Sequence, residues 1–337
     1  MHTILVTGAA GYIGSVTCDL LLAQGYTVVA VDNLSRGYQS AIDHLQDKYS
    51  PEMLIFYKRD LTIDQLSDIF DRHHPAVIIH FAALLNVGES WHMPEKYISN
   101  NVCGTQRLIQ TALAHHVKKM VFSSSCTVYG NAQYLPIDEN HPIADPVTPY
   151  GVSKSICEKI LSLYSKTSDL KVVFLRYFNV CGASDDGSIG DSKNPSFHLV
   201  QNAVRGALQI APFELDYAPV DTPDGSPIRD YVNVVDLGLA HLKAVEYLER
   251  GGTSEAINIG TGTGNSVLEI IVEIKKLSGV DFPVHASSMR RADEADKMVA
   301  DIKKAAKLLN WKPQRSLSQS VQSLMIWYTA HPRGWSM

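Results

Sequence analysis

Apolar runs of strand length alternate with amphipathic segments of helix length through the first half of the chain. Thr3–Thr7, Thr27–Val31, Met53–Tyr57, Ala76–Phe81, Lys119–Ser123 and Lys171–Tyr177 are short and mostly apolar, as strands buried on both faces must be. Between them, Ile13–Gln24, Asp64–His73, Pro94–His115 and Tyr150–Lys166 have the spacing of helices, and Gly25 stands where a C-cap belongs. This order predicts an α/β fold, a Rossmann-type doubly wound parallel sheet with helices on both faces. Near residue 180 the rhythm gives way to a glycine- and aspartate-rich stretch, Gly182–Pro195, followed by shorter elements. The expectation is a first domain over 1–180 and a smaller mixed α/β domain over 181–337. The second is discontinuous, because a helix over Val235–Glu249 and an apolar strand over Ala256–Ile259 return residues 232–262 to the first sheet.

The first strand runs into Gly8-Ala-Ala-Gly11-Tyr12-Ile13-Gly14 and then a helix. Glycines there let the chain turn tightly and bring backbone N–H groups up to a pyrophosphate at the helix N-terminus. Asp32 closes the second strand at the interval expected for an acid that binds an adenosine ribose. A carboxylate at that place repels a 2′-phosphate, so the expected cofactor is NAD rather than NADP, with Arg36 nearby as the one contrary feature. Asn33, Asp60-Leu61 and Phe81-Ala82-Ala83 follow strand ends, where open α/β sheets bind ligands. Asp60 suits a turn as well as an adenine contact.

Tyr150 and Lys154 place a phenol and an ammonium one helical turn apart. A free phenol has a pKa of about 10, and a nearby cation lowers it by roughly 1–3 units. With Pro149 at the first helical position and Thr148 as N-cap, the helix dipole adds to that field. The pair is a candidate proton-transfer unit, and Ser125, after the fifth strand, is positioned to meet the same substrate oxygen. A tyrosine and a lysine on a solvated helix face remain the plain alternative.

Composition narrows the ligand. A net charge of −5 gives no footprint for nucleic acid, and no run reaches the roughly 18 apolar residues of a membrane span. Five cysteines without a Cys-x-x-Cys pair suggest reduced thiols and a cytoplasmic protein. Thirteen histidines show no ligand spacing, so no metal site is expected.

Together with Val-Gly-Glu-Ser at 87–90, Asn-Asn-Val at 100–102, Ser-Ser-Ser-Cys-Thr-Val-Tyr-Gly at 123–130, Arg-Tyr-Phe-Asn at 176–179 and Arg-Asp-Tyr at 229–231, these motifs run nearly end to end. In their order the chain resembles the extended short-chain dehydrogenase/reductase family, and within it the branch that inverts C4 of UDP-hexoses such as UDP-glucose and UDP-galactose. The resemblance implies that Tyr150 takes the 4-hydroxyl proton while C4 gives its hydride to NAD. A transient 4-keto sugar then turns over and recovers the hydride on its other face. It further implies that Asn100, Ser125 and Phe178 border the cofactor and that Lys154 also binds the nicotinamide ribose. For a UDP-sugar it implies Asn179, Arg229 and Arg291 at the diphosphate and Tyr217 near the uracil. His198 and Leu199 would line the approach, and Glu294 would be a ribose-binding carboxylate. Tyr217 also suits a core position, and the arginines a solvated surface. The helices Pro94–His115 and Tyr150–Lys166 resemble those of a homodimer interface.

The chain departs from the branch at several points. Leu85 and Asn86 stand where lysine and alanine are usual, and Val180-Cys181 replaces a usual proline. Met298 lies near the position that affects tolerance of an N-acetyl group, and a flexible thioether there leaves glucose/galactose and N-acetylated sugars both open. The alternative within the family is another sugar-nucleotide enzyme, a UDP-N-acetylglucosamine or UDP-glucuronate 4-epimerase. Dehydratases of the family need an Asp-Glu pair beside the active serine or threonine, where this chain has Cys126-Thr127. A non-catalytic NAD-binding regulator is the alternative of another class.

Overall fold

The computed structural model describes residues 2–335 apart from 144, 145, 147 and 287–294. Its centre is a seven-stranded, all-parallel sheet. The first six strands in the chain are β1 (Thr3–Thr7), β2 (Thr27–Asp32), β3 (Leu54–Lys58), β4 (Val77–His80), β5 (Lys119–Ser125) and β6 (Lys171–Tyr177). The spatial order is Glu255–Ile259, β6, β5, β4, β1, β2, β3. The chain therefore reverses direction across the sheet between β1 and β4, where Thr7 lies in register with Val31 on one side and His80 on the other. That reversal opens a crevice at the carboxyl ends of the strands, where such folds bind ligands.

The interiors of β1, β2, β4, β5 and β6 are buried because helices cover both faces, whereas the edge strand β3 is only partly buried beyond Leu54. On one face the helices Tyr12–Ala23 and Val234–Glu249 close a core that includes Val6, Val28, Leu21 and Leu242. Their axes approach closely at Gly238, where an added Cβ would stand 2.6 Å from Leu20 Cδ1. On the other face Leu108, Ile109, Cys157 and Leu161 pack against Leu5, Ile78 and Phe122. The strand Glu255–Ile259 pairs with β6, as its apolar pattern suggests.

A smaller mixed α/β lobe follows β6. Helices Leu199–Ala207, Val267–Ser278 and Leu317–Ala330 pack around Trp327 and Tyr328. Short strand pairs such as Asn179–Cys181 with Tyr231–Asn233 complete it.

Two helices depart from the sequence pattern. The stretch Pro94–His115 is not one regular helix. It runs as Pro94–Tyr97, a π-helical turn over Ile98–Cys103, and Gly104–Ala114. The wider turn aims Asn101 inward, where its amide accepts from Leu84 N at 2.8 Å and donates to Leu84 O at 3.0 Å and Ser153 Oγ at 2.9 Å. Three tertiary hydrogen bonds outweigh the poorer helical geometry, as at other π-bulges beside sites. The helix expected from Asp64 begins only at Ser67, because Asp64 Oδ2 accepts Asp60 N at 2.7 Å and closes a turn instead.

Candidate active site

A cavity of about 480 Å³ occupies the crevice. One part is the glycine loop. Gly8 has φ +71°, and an added Cβ would stand 2.7 Å from Ala82 N; at Gly14 a Cβ would meet Gly8 O at 2.1 Å. Neither position admits a side chain, so the backbone itself forms the cavity wall at the N-terminus of helix Tyr12–Ala23. Asp32 ends β2 beside it. Its Oδ2 accepts Ala10 N at 3.0 Å and its Oδ1 accepts Leu34 N at 2.8 Å. Burial pushes this carboxyl up, while those two hydrogen bonds and the charge of Lys193 act against the shift.

Asn33 Nδ2 donates to Asp60 Oδ2 at 2.8 Å, and Asp60 Oδ1 accepts Thr62 N at 2.8 Å. Burial opposes ionisation of Asp60, but the hydrogen bonds from Thr62 and Asn33 outweigh it and hold the carboxyl below its ordinary value. Asp60 both closes a turn and lines the cavity. The residue types and placement fit a dinucleotide: a wall without side chains for a pyrophosphate, and a carboxylate with free lone pairs for ribose hydroxyls.

The other part lies past β4 and β5. Thr148 caps helix Pro149–Thr167 by accepting Gly151 N at 3.1 Å, with Pro149 in the first turn, which puts Tyr150 and Lys154 on the buried face. Tyr150 meets Tyr97 edge-on at 6.5 Å between centroids, and Tyr97 OH is fixed by donating to Asn86 O at 2.6 Å. Lys154 Nζ donates to Ser123 O at 2.8 Å and lies 5.0 Å from the Phe122 ring.

The electrostatics correct the simple picture of the pair. Burial, then the neighbouring Tyr177, pushes the Tyr150 phenol well up, and a hydrogen bond with Ser125 is what acts in the other direction. Lys154 loses solvent as well, and burial brings its ammonium down to about 8 despite Cys157 and Glu158. The i, i+4 spacing delivers both groups to one face, yet desolvation of each exceeds their mutual effect. The protein's own groups thus keep Tyr150 protonated at neutral pH.

Of the residues singled out from sequence, the cavity brings together Gly8, Gly11, Tyr12, Ile13, Gly14, Asp32, Asn33, Asp60, Leu61, Phe81, Ala82, Ala83, Asn100, Ser125, Tyr150, Lys154, Phe178, Asn179 and His198. Leu199 and Tyr217 instead pack on the apolar core around Trp327. Arg229 is half-buried outside the cavity lining and donates to Ile228 O at 2.9 Å, while its charge reaches Cys126 in the lining. Arg291 and Glu294 lie outside the described residues. The cavity also takes in Arg59, Tyr177, Lys193 and Phe197, which sequence reasoning passed over. Lys193 and Phe197 sit in or beside the polar stretch read as a boundary, where no periodicity marks a functional side chain. Leu85 and Asn86 line the wall too, and Asn86 caps the helix Val87–His92 by accepting Glu89 N at 3.0 Å.

Residues 5–324 match the family model described as GDP-mannose 4,6 dehydratase. A UDP-glucose 4-epimerase of Rhizobium meliloti (strain 1021) is 40% identical over 335 residues, covering 99% of each chain. Among solved structures, the UDP-glucose 4-epimerase of Bifidobacterium longum in complex with NAD+ and UDP superposes with a TM-score of 0.92 at 35% identity, over 99% of this chain and 100% of that one. The enzyme from Stenotrophomonas maltophila, with bound NAD and formylated UDP-arabinopyranose, gives a TM-score of 0.93 at 33% identity over 99% of both chains. The chain therefore belongs to the extended short-chain dehydrogenase/reductase family, in the branch of the UDP-glucose 4-epimerases.

Proposed function

We propose that this protein inverts C4 of a UDP-hexose, interconverting UDP-glucose and UDP-galactose through a transient 4-keto sugar, with NAD as bound cofactor. One observation carries the reading: a single cavity joins the glycine wall and Asp32 to Ser125, Tyr150 and Lys154. Asp32 ends β2 and Ser125 ends β5, and the sheet order puts three inter-strand spacings between them. That is about 14 Å, the reach of an extended dinucleotide. NAD supplies a hydride acceptor and donor and, in its oxidised form, a positive ring.

Asp32 takes ribose hydroxyls, and the N–H groups of Tyr12, Ile13 and Gly14 face the pyrophosphate, the Gly11 N–H being donated to Gly8 O at 3.2 Å. Tyr150 receives the proton of the sugar 4-hydroxyl and later returns it, and Ser125 holds that hydroxyl in line. Lys154 holds a ribose and keeps positive charge near the phenol. Since burial and then the neighbouring Tyr177 raise Tyr150, its action as a base depends on positive charge gathered at that end of the cavity. The roles of Asn100 and Phe178 beside the cofactor, and of Asn179, His198, Leu199, Tyr217, Arg229, Arg291 and Glu294 toward the UDP-sugar, belong to the same proposal. So does a division between a cofactor domain over 1–180, rejoined by 232–262, and a UDP-sugar domain over the rest.

Cys126 and Thr127 begin the short 3₁₀ turn after Ser125. Neither can act as the carboxylic acid pair that dehydration requires, which favours epimerisation over the chemistry named by the family model. A homodimer is supported by Trp91, Met93, Ile98 and Leu163, apolar residues 38–61% exposed on the helices around the site or, for Met93, at the junction between two of them. A cytoplasmic setting is supported by five free cysteines.

The test is direct. Purified protein with UDP-galactose and NAD should form UDP-glucose, and a panel with UDP-N-acetylglucosamine and UDP-glucuronate should show the narrower choice. If no UDP-glucose forms, the proposal fails.

A further inference from the structure

Among the described residues, Arg36, Arg59, Lys154 and Lys193 are the lysines and arginines that line the cavity. Arg36 is paired with Glu89 at 2.8 Å, Arg59 faces Asp68 at 3.5 Å, and Lys154 is bonded to Ser123 O. Lys193 also has an ion partner, Asp191, but a looser one on a more buried side chain. Its side chain is only 14% exposed, and its ammonium lies 3.7 Å from Asp191 Oδ1, beyond hydrogen-bond range. Asp191 is itself committed elsewhere, since its other oxygen accepts from Ser196 Oγ. The charge of Lys193 reaches Asp32 and His198, one in each lobe.

The backbone that carries Lys193 is pinned on several sides. Tyr38 OH donates to Ser192 O at 3.0 Å, Trp335 N donates to Ser192 Oγ at 3.0 Å, and Trp327 Nε1 donates to Asp191 O at 3.0 Å. Tyr38 directly follows the Arg36-Gly37 turn beside Asp32, where a Cβ on Gly37 would stand 3.0 Å from Asp32 Oδ1. The segment is thus a strap from the smaller lobe, tied to the cofactor side. An ammonium with spare donors, fixed beside a carboxylate and a wall of backbone N–H groups, suits a ligand bearing phosphate and hydroxyl oxygens.

We propose that Lys193 is a cofactor-binding residue contributed by the smaller lobe. Its ammonium grips the phosphate–ribose backbone of the dinucleotide opposite the glycine loop, so that the cofactor is held from both lobes. This rests on the NAD reading above. It answers a need of the proposed reaction, in which the same cofactor must stay bound while a keto sugar turns over. It also explains how a cavity with Leu85 in its wall keeps a cation at the cofactor.

The experiment compares the full-length wild type with Lys193→Met, Lys193→Arg and the charge-neutral pair Asp191→Asn/Lys193→Met. NAD that copurifies is counted per chain, and NADH affinity is read from nicotinamide fluorescence at low and high salt. Lys193→Met should weaken NADH binding by roughly tenfold to a hundredfold and flatten its salt dependence, while Lys193→Arg stays within a fewfold of wild type. The paired variant relieves the buried Asp191 and should remain weak. In the wild type, NADH should slow acetylation of Lys193 at least about fivefold, a readout that needs no variant. NADH affinity of Lys193→Met or of the pair within twofold of wild type overturns the inference, as does unchanged acetylation. A wild type that binds no NAD(H) overturns the functional reading instead.

Discussion

Replacing Lys154 by methionine should remove the proposed activity and yet stabilise the fold at pH 7. The ammonium is buried, and its drop from 10.5 to about 8 is caused first by lost solvent. Such a drop corresponds to about 3 kcal/mol of cost for holding the charged form inside the protein. Methionine keeps most of the volume without the charge. The loss of the bond to Ser123 O gives back about 1 kcal/mol, and Glu158 is not orphaned because Arg176 Nη2 lies 2.6 Å from its Oε2. The net expectation is a gain of about 2 kcal/mol.

The sign with pH follows from proton counting. Between about 8 and 10.5 the unfolded chain holds a proton on Lys154 that the folded chain has lost, so wild-type stability rises with pH through that window. The variant has no such group, so its advantage should shrink as pH rises, pass through zero at about pH 9.5 and give way to a wild-type advantage of about 1 kcal/mol near the upper limit. Urea unfolding of both proteins at pH 7 and pH 10, without added nucleotide, measures the two gaps. A variant less stable than wild type at pH 7, or a gap that widens with pH, refutes the argument that desolvation dominates at Lys154.

Tyr150→Phe keeps the ring against Tyr97 but removes the oxygen, and should cut turnover of UDP-galactose by roughly 10²–10⁴-fold while NADH still binds by fluorescence. Gly14→Ala would bring a Cβ to 2.1 Å from Gly8 O, so NADH binding should be lost or the protein should fail to accumulate; normal affinity would contradict the geometry. Arg176→Met leaves Glu158 buried without its partner and should cost about 3–5 kcal/mol in urea unfolding, whereas Arg176→Met with Glu158→Leu should recover most of that. Trp91→Glu together with Leu163→Glu should shift a dimer to monomer in light scattering, if these exposed residues form the contact.

The sheet was legible because its physics is periodic. Strands buried on both faces must be nearly continuous apolar runs, and the six in the first half fall within one or two residues of their observed limits. The glycine wall and Asp32 were legible for a related reason, since backbone approach and a strand-end carboxylate leave few alternatives at those positions. The π-turn at Ile98–Cys103 was not legible, because its cause is the set of partners of Asn101, which come from 17 and 52 residues away. Lys193 was hidden for the same reason: only the long-range ties of the strap bring it to Asp32. The coupling expected for Tyr150 and Lys154 shows the limit most clearly. Spacing places two groups on one face, but the medium between and around them decides their pKa values, and burial is a property of the whole fold.

That medium gives the cavity a further property. Burial raises the carboxyl of Asp32 and lowers the ammonium of Lys154, so each is held in an environment that disfavours its charged form. The two lie at opposite ends of one crevice and are too far apart to neutralise one another. A ligand that donates hydroxyls to the carboxylate and accepts hydrogen bonds from the ammonium relieves both costs in one binding event. Part of the binding energy is therefore stored in the unliganded fold, and it is returned in full only to a molecule long enough to reach both ends. NAD has that length, whereas a mononucleotide fragment satisfies one end and leaves the other in place. Thermal stabilisation by NAD should consequently exceed the sum of the effects of AMP and nicotinamide mononucleotide, each measured alone at saturation. Simple additivity would mean that the two ends act independently and that the buried charges do not select for length.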